Sequence, residues 1–234
     1  VQKYLKGEVD TYYIGDDAIS KENLKEYLEK SKFSIASNGV LYRTDTVGCI
    51  PGILDLWFQQ RVEFRKLEKK YGQEGNQEQY AFYGKRQLVQ KILLNSLYGV
   101  LGLPAFRFYD VDNAEAVTTT GQTVIKSTAD MANLKYNKEL DTPGADSNIY
   151  IDTDSVFFSA VPLMDKRTPN WRDESQDTIA GYGDVIAGEV QDYLNNFYDV
   201  LSEKVFNVNK DKHRLEIKKE YVAKAGLWIA KNRY

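Results

Sequence analysis

Apolar residues recur along this chain with two periods, one helical and one alternating. From Gly52 to about Tyr71, Ile53, Trp57, Phe64 and Leu67 fall on one face at helical spacing. Pro51 marks the start of that helix, where its missing N–H costs nothing, and Gly72 with the polar run Gln73 to Gln77 ends it. A second helix is predicted from about Glu78 to Val100, returning antiparallel after the short loop. On it Val89, Leu93, Leu97 and Val100 share one side, and Lys91, Asn95 and Tyr98 line the other. Helical periodicity also covers Val111 to about Leu134, whose many small residues suit close packing on a sheet. It covers Asp177 to Val205 as well, with Ile179, Ile186, Val190, Tyr193, Phe197 and Leu201 at core spacing. In the polar first 32 residues only Lys21 to Lys30 has a weak helical pattern.

The strand-like stretches are shorter. Phe33 to Asp45 reads as a hairpin about Asn38-Gly39, a strong two-residue turn signal between apolar runs. Leu103 to Tyr109 is strand-like, Arg167 to Asp177 is a polar loop, and Leu215 to Val222 with Leu227 to Tyr234 form an expected final strand pair. Asn148 to Phe158 is the clearest hairpin, two runs of aromatic and β-branched residues pinched around Asp152-Thr153-Asp154. Helices and antiparallel hairpins in this order predict an α+β fold.

Asp152 and Asp154 introduce chemistry. Side chains alternate along a strand, so carboxylates two residues apart can reach toward the same side. Two anions that close repel each other unless a cation lies between them, and oxygen ligands favour magnesium or manganese. Taken alone, these residues fit a solvated, Asx-stabilised turn equally well.

Composition and charge narrow the classes. With 42% apolar and 28% charged residues in 234, the chain has the make-up of an ordinary globular protein. No apolar run approaches the roughly 20 residues of a membrane span and no signal-peptide pattern is present, so no membrane partner and a cytoplasmic location are expected. One cysteine, Cys49, and one histidine, His213, exclude an intrachain disulfide, a zinc cluster and a Cys-His pair. Cys49 is expected in the core and His213 at the surface. The net charge of −3 conceals a segregation: residues 61–102 carry 8 Lys and Arg against 4 Asp and Glu, residues 103–202 carry 7 against 17, and residues 203–234 carry 9 against 4. Two basic segments flanking an acidic one suit a polyanion gripped around a metal-binding centre. Arg61, Arg65 and Lys69 form a cationic row on the first long helix.

Longer motifs resolve the alternatives. Lys91-Ile92-Leu93-Leu94-Asn95-Ser96-Leu97-Tyr98-Gly99 resembles KxxxNSxYG, motif B of the family B DNA polymerases. Tyr150-Ile151-Asp152-Thr153-Asp154-Ser155 is similar to their YxDTDS motif C, with Ile151 where glycine is commonest. Lys231-Asn232-Arg233-Tyr234 resembles their KKRY element, with asparagine replacing the second lysine. The three motifs come in the family's order, and the resemblance covers roughly residue 33 to the end. The 33–45 hairpin, Pro51 and Gln59-Gln60-Arg61 point to the bacteriophage branch.

The resemblance implies a division of labour. Residues 1–50 would be the N-terminal part of the palm and a connecting hairpin, residues 51–102 a fingers hairpin of two long antiparallel helices, and residues 103–234 a palm with an antiparallel sheet and packed helices. Arg61, Arg65 and Lys91 would gather the triphosphate of a deoxynucleotide, with Lys91 also donating a proton to the leaving group. Asn95 would support the nucleotide, and Tyr98 with Gly99 would face the nascent base pair. Asp154 would ligate both of two magnesium ions (or manganese), about 4 Å apart, with Asp152 an auxiliary ligand. Lys231, Asn232, Arg233 and Tyr234 would hold primer-template DNA by its backbone and minor groove, Asn232 with one charge fewer than the family's lysine. A sliding clamp would bind through other regions.

In the family, a further metal-binding aspartate lies in a DxxSLYP segment, and no such segment occurs in these residues. Nor does a paired-acid exonuclease motif, or a thumb after Tyr234. The expectation is therefore a fingers and palm portion, inactive or nearly so alone. The competing expectation, from another class, is a complete noncatalytic module that binds DNA or nucleotide. A protein-primed relative would carry priming insertions, and none is evident.

Overall fold

Strands in this protein pair two at a time. The structure, a computed structural model, describes residues 10–228 apart from the side chain of Lys21. Among the described residues β1 (Thr11–Ile14) pairs β2 (Asp17–Ser20), β3 (Phe33–Ile35) pairs β4 (Leu41–Arg43), and β5 (Asn148–Asp152) pairs β6 (Ser155–Phe158), all antiparallel. The helices are α1 (Lys21–Ser31), α2 (Cys49–Gln73), α3 (Gln77–Val100), α4 (Val111–Leu140), α5 (Val161–Arg167) and α6 (Gln176–Lys204). The fold is α+β as expected, and among the described residues three separate ribbons stand in place of a broader sheet. By compactness, residues 26–118 form one unit, and the described residues of 1–25 and 119–234 the other; the divisions fall within α1 and α4.

In the first unit, the β3–β4 turn is one residue wider than Asn38-Gly39 suggested. Ala36 N–H donates to the Val40 carbonyl at 2.9 Å, leaving three residues in the loop, and Gly39 takes a φ of 95° that suits glycine. Asn38 Nδ2 and Tyr42 Oη tie this hairpin to the Asp112 carbonyl and Asn113 Oδ1 at the start of α4.

Pro51 occupies the third position of α2, still inside the first turn, where no intrahelical N–H is required. α2 and α3 pack antiparallel along a seam that mixes aromatic and polar contacts with aliphatic side chains. Tyr71 stacks on Tyr83, Phe64 tilts against the same ring, and Gln90 Nε2 donates to Gln60 Oε1 at 2.7 Å. The guanidinium of Arg86 covers Phe64 and Phe82 at 5.4 and 5.3 Å. This seam corrects the predicted apolar face of α3. Half-buried positions follow Tyr83, Gln87, Gln90, Leu94, Leu97 and Val100, whereas Val89 and Leu93 are exposed. Ring stacking and the glutamine pair fix the rotation of the helix, and Val89 and Leu93 fall beside the seam. Cys49, expected in the core, is exposed as the first residue of α2.

Residues 103–109 form successive turns instead of a strand. Leu103 N–H, Phe106 N–H and Tyr109 N–H each bond to a carbonyl three residues earlier.

The second unit is built on α4, α5 and α6. Ala132 and Tyr136 of α4, Leu163 and Met164 of α5, and Ile186, Val190 and Leu194 of α6 make one buried cluster. Tyr198, Leu201 and Phe206 make another with Val124. The small residues of α4 thus admit helices, not only a sheet. Thr128 Oγ1 and Tyr198 Oη share a buried hydrogen bond of 2.8 Å, and burial pushes the Tyr198 phenol up. The Arg167–Asp177 stretch departs from a plain loop: α5 runs up to Arg167 and a 3₁₀ turn spans Trp171–Asp173. β1 and β2 were not anticipated, although Gly15, with φ 61°, supplies a turn between Tyr12-Tyr13-Ile14 and Ala18-Ile19.

Residues 215–222 carry no strand, and Leu227–Tyr234 is described only through Trp228. Asn195 of α6 meets the backbone of Ile217 on both sides, Nδ2 donating to the carbonyl at 3.1 Å and Oδ1 accepting from N–H at 2.9 Å. A side chain takes the place of a neighbouring strand. His213, expected at the surface, is mostly covered; its Nε2 lies 2.8 Å from Asp199 Oδ1, and its Nδ1 accepts from Leu215 N–H at 3.2 Å.

Two features give stability predictions. Arg167 bonds Glu139 of α4 through Nε and Nη2 at 2.6 and 2.8 Å, and Glu189 of α6 through Nη1 and Nη2 at 3.1 and 2.7 Å. Those hydrogen bonds hold both carboxyls below the usual carboxylate range. Solvent screening at this partly exposed bridge keeps its contribution near about 1 kcal/mol. Arg167→Ala is expected to lower Tm by about 2–4 °C at pH 7. Because the folded-state pKa values are depressed, the contribution is full above about pH 4.3 and is lost as pH falls through those values. Thermal scans should therefore show the gap between wild type and variant closing in acid, and a pH-independent gap would refute the linkage. The second feature is Thr153, a β-branched residue at φ 48° in the β5–β6 turn. Such backbone costs about 1–3 kcal/mol, partly offset here by its hydroxyl bond to Asp152 Oδ1 at 3.0 Å. Thermal denaturation should rank Thr153→Gly above wild type by about 1–3 °C and Thr153→Val below it; the opposite order would show the turn to be unstrained.

Candidate active site

A two-residue turn sets the geometry of the acidic pair. Asp152 ends β5 and pairs with Ser155 at the start of β6, so Thr153 and Asp154 alone make the reversal. Asp152 is half-buried and its backbone carbonyl accepts from Ser155 Oγ at 3.1 Å, whereas Asp154 is exposed at the tip. Strand alternation puts Tyr150 and Asp152 on the half-buried face and Ile149 and Ile151 on the exposed one. A register shift between Asn148 and Tyr150 breaks the ladder at the base of the ribbon.

The base is fastened to α4 by a polar knot. Asn133 Nδ2 donates to Asp146 Oδ1 at 2.8 Å, and Asn133 Oδ1 accepts from Ser147 N–H at 2.9 Å. Asp146 Oδ1 also accepts from Asn148 N–H at 2.9 Å, while Asn148 Nδ2 reaches the Ala129 carbonyl at 3.1 Å. The Asn133 bond, with that backbone N–H, keeps the Asp146 carboxyl below its ordinary range. Phe158 meets fully buried Tyr136 edge to face, with centroids 5.6 Å apart. The residues of this knot lie outside the motifs, and only the Asn/Asp content of 146–148 signals them.

On the half-buried face that carries Asp152, Tyr150 and Phe157 pair across the ribbon at 6.0 Å. Trp228 packs on both, and Tyr221 on Phe157. These aromatic contacts link the ribbon to the segment that leads toward Lys231, Asn232, Arg233 and Tyr234, four residues outside the described range.

The predicted nucleotide-binding residues stand on α2 and α3 in the other unit. Lys91, Asn95 and Tyr98 lie at i, i+4 and i+7 on the exposed surface of α3, and space around Gly99 is open. The cationic row on α2 divides. Arg65 and Lys69 are exposed, but Arg61 belongs to the half-buried stripe facing α3, and its Nε is buried with no hydrogen-bond partner among the described residues. The Gln60–Gln90 bond fixes the helix register, so Arg61 and Lys91 follow its two members at one level of the hairpin.

Asp152 and Asp154 supply hard carboxylate oxygens of the type magnesium and manganese take. Among the described residues no group of three or more His, Cys, Asp or Glu side chains surrounds a metal position. Nor is any described helix long and apolar enough to cross a membrane.

Comparison with known proteins gives the family. The sequence pattern of DNA polymerase family B, a family that works with divalent metal ions, matches residues 13–225. The chain is 42% identical over 80 residues to the DNA-directed DNA polymerase of Escherichia phage RB69, covering 34% of this chain and 9% of that protein. It is 31% identical over 156 residues to the DNA-directed DNA polymerase of Enterobacteria phage T4, covering 63% and 17%. DNA polymerase 1 of Pyrococcus abyssi is 27% identical over 222 residues, covering 94% and 26%. The chain thus spans about a quarter or less of the length of these relatives. A family pattern matched over nearly the whole chain, with the paired aspartates on a hairpin turn, identifies this protein as a member of DNA polymerase family B.

Proposed function

We propose that these residues are the fingers and palm portion of a template-directed DNA polymerase, which adds deoxynucleotides to a primer 3′-hydroxyl. The observation that carries this reading is the β5–β6 ribbon, which presents Asp152 and Asp154 at a two-residue turn while its other end is fastened to α4. The α2–α3 pair would be the fingers, residues 51–102, with residues 1–50 and 103–234 contributing to the palm.

The chemistry is a nucleotidyl transfer. The primer oxygen forms a bond to the α-phosphorus of a deoxynucleoside triphosphate, the bond to pyrophosphate breaks, and the hydroxyl proton is lost. Magnesium, as two ions or as manganese in its place, would be held by Asp154 and Asp152 and supply Lewis-acid stabilisation of the attacking and leaving oxygens. Lys91 and Arg65 are exposed cations that neutralise triphosphate charge, and Lys91 donates a proton to departing pyrophosphate. Arg61, half-buried in the seam, offers a guanidinium with a buried, unused Nε donor. Asn95 hydrogen-bonds the nucleotide, and Tyr98 with Gly99 provides a flat, open surface to the base pair. Lys231, Asn232, Arg233 and Tyr234 hold primer-template DNA through its backbone, and a sliding clamp would engage other parts of the enzyme. The host cytoplasm is the compartment that suits this reaction.

No DxxSLYP segment occurs in the 234 residues, so on this reading they hold only part of the carboxylate set of the metal site. The 234-residue chain alone is expected to extend a primer in magnesium about a thousandfold or more slowly than a complete polymerase of the family. Extension at a comparable rate would overturn the division of the site. In the full-length gene product, Asp154→Ala is expected to abolish extension, losing about a thousandfold or more in kcat while primer-template binding persists. Retained activity would remove Asp154 from the metal site, and a full-length product that binds DNA without any extension would favour the noncatalytic module.

A further inference from the structure

Residues 213–222 run antiparallel to α6 as an extended strap, and the contacts follow one another in order. His213 meets Asp199, Ile217 meets Asn195, Lys219 N–H donates to Gln191 Oε1 at 2.8 Å, and Lys219 Nζ pairs with Asp184 Oδ1 at 2.6 Å. At the far end the strap presses on a helix position without a side chain. A Cβ on Gly183 would lie 2.8 Å from Val222 Cγ1. His213, Leu215 and Ile217 face inward while Arg214, Glu216 and Lys218 are exposed, the period-two pattern of a strand.

Register is what Asn195 adds to this arrangement. Burial of Leu215 and Ile217 favours the strap against α6 but tolerates sliding by two residues, which keeps the same side chains inward. The two-point bond from one amide to Ile217 N–H and C=O selects a single position, and Gln191 repeats the selection at Lys219. Farther along, Tyr221 and Trp228 reach Phe157 and Tyr150 on the ribbon face that carries Asp152. The ring of Trp228 folds over Gly226, filling the space a Cβ would take. Lys231 follows Trp228 by three residues, a chain reach of at most about 11 Å.

We propose that Asn195 and Gln191 are positioning residues for primer-template DNA: by fixing the register of the strap on α6 they set where the chain toward Lys231 and Arg233 leaves the catalytic ribbon. This rests on the reading above in which those two cations hold DNA. A strap that slides lowers the fraction of molecules competent to bind DNA, and the apparent Kd rises in proportion. The carboxylates of the ribbon are untouched, so turnover on bound DNA persists.

The test uses the full-length gene product, measuring Kd for a primer-template duplex by fluorescence anisotropy and kcat at saturating DNA. Asn195→Ala, which removes both bonds, and Gly183→Ala, which displaces the strap at Val222, are each expected to raise Kd about tenfold with kcat within about twofold of wild type. Unchanged Kd in both variants, or lost kcat at unchanged Kd, overturns the proposal. Should either variant lower Tm by more than about 10 °C, Gln191→Ala, which removes one hydrogen bond, decides by the same criterion. Lys231→Ala and Arg233→Ala are measured alongside. If they retain wild-type affinity, the DNA-holding reading itself falls; if they lose affinity while the Asn195 and Gln191 variants keep it, the positioning role alone falls.

Discussion

A two-stranded ribbon of nine residues is too small to stand by itself in water, and the acidic pair of this protein rides on one. Beyond the bonds of the turn itself, the anchoring of Asp152 and Asp154 is therefore supplied from outside the ribbon. The Asn133–Asp146–Asn148 knot ties its base to α4, and Phe158 enters the buried cluster against Tyr136. That cluster is closed by α5 and α6, with Arg167 bridging Glu139 and Glu189 at its edge. Three helices are thus required to hold two carboxylates at a turn. The free end stays exposed, which leaves Asp154 accessible to solvent and to ligands.

The α2–α3 hairpin meets the opposite requirement. Its seam holds stacked tyrosines, a glutamine pair and an arginine with a buried Nε among its half-buried leucines and valine. Polar and aromatic contacts are directional, so they set register and rotation while burying less apolar surface than an aliphatic seam. The aliphatic side chains Leu88, Val89, Ile92 and Leu93 remain on the outside of α3. Exposed cations and an open glycine on the same helix give it a surface built for contact rather than for closure.

Legibility in the sequence followed the range of the forces involved. Helix periods, the Pro51 start and the Asp-Thr-Asp turn are local, and α2, α3, α4, α6 and β5–β6 stand near their expected bounds. The face of α3 was misjudged because hydropathy ranks Val89 and Leu93 above Gln87 and Gln90, whereas ring stacking to Tyr71 decided the rotation. Cys49 and His213 were misplaced for a similar reason: type preference says nothing of a helix N-terminus or of Asp199 beside the imidazole. Among the candidate site residues, the placement of the carboxylates at a turn and of the α3 stripe on one exposed face was legible from their spacing. The distinction between Arg61 in the seam and Arg65 outside it was not, since both lie in the same four-residue repeat.

The stretch 215–222 shows how a strand pattern can be right about the chain and wrong about its partner. Alternation of Leu215 and Ile217 with Glu216 and Lys218 demands an extended backbone with one covered face. It does not say whether the backbone polar groups pair with another strand or with side chains. Asn195 and Gln191 resolve that in favour of α6, because a primary amide offers the same donor and acceptor as a peptide group. Fewer ladder bonds hold such a strap than hold a sheet strand, so its stability depends more heavily on each one. Removing a single amide from α6 therefore acts on the position of a long segment.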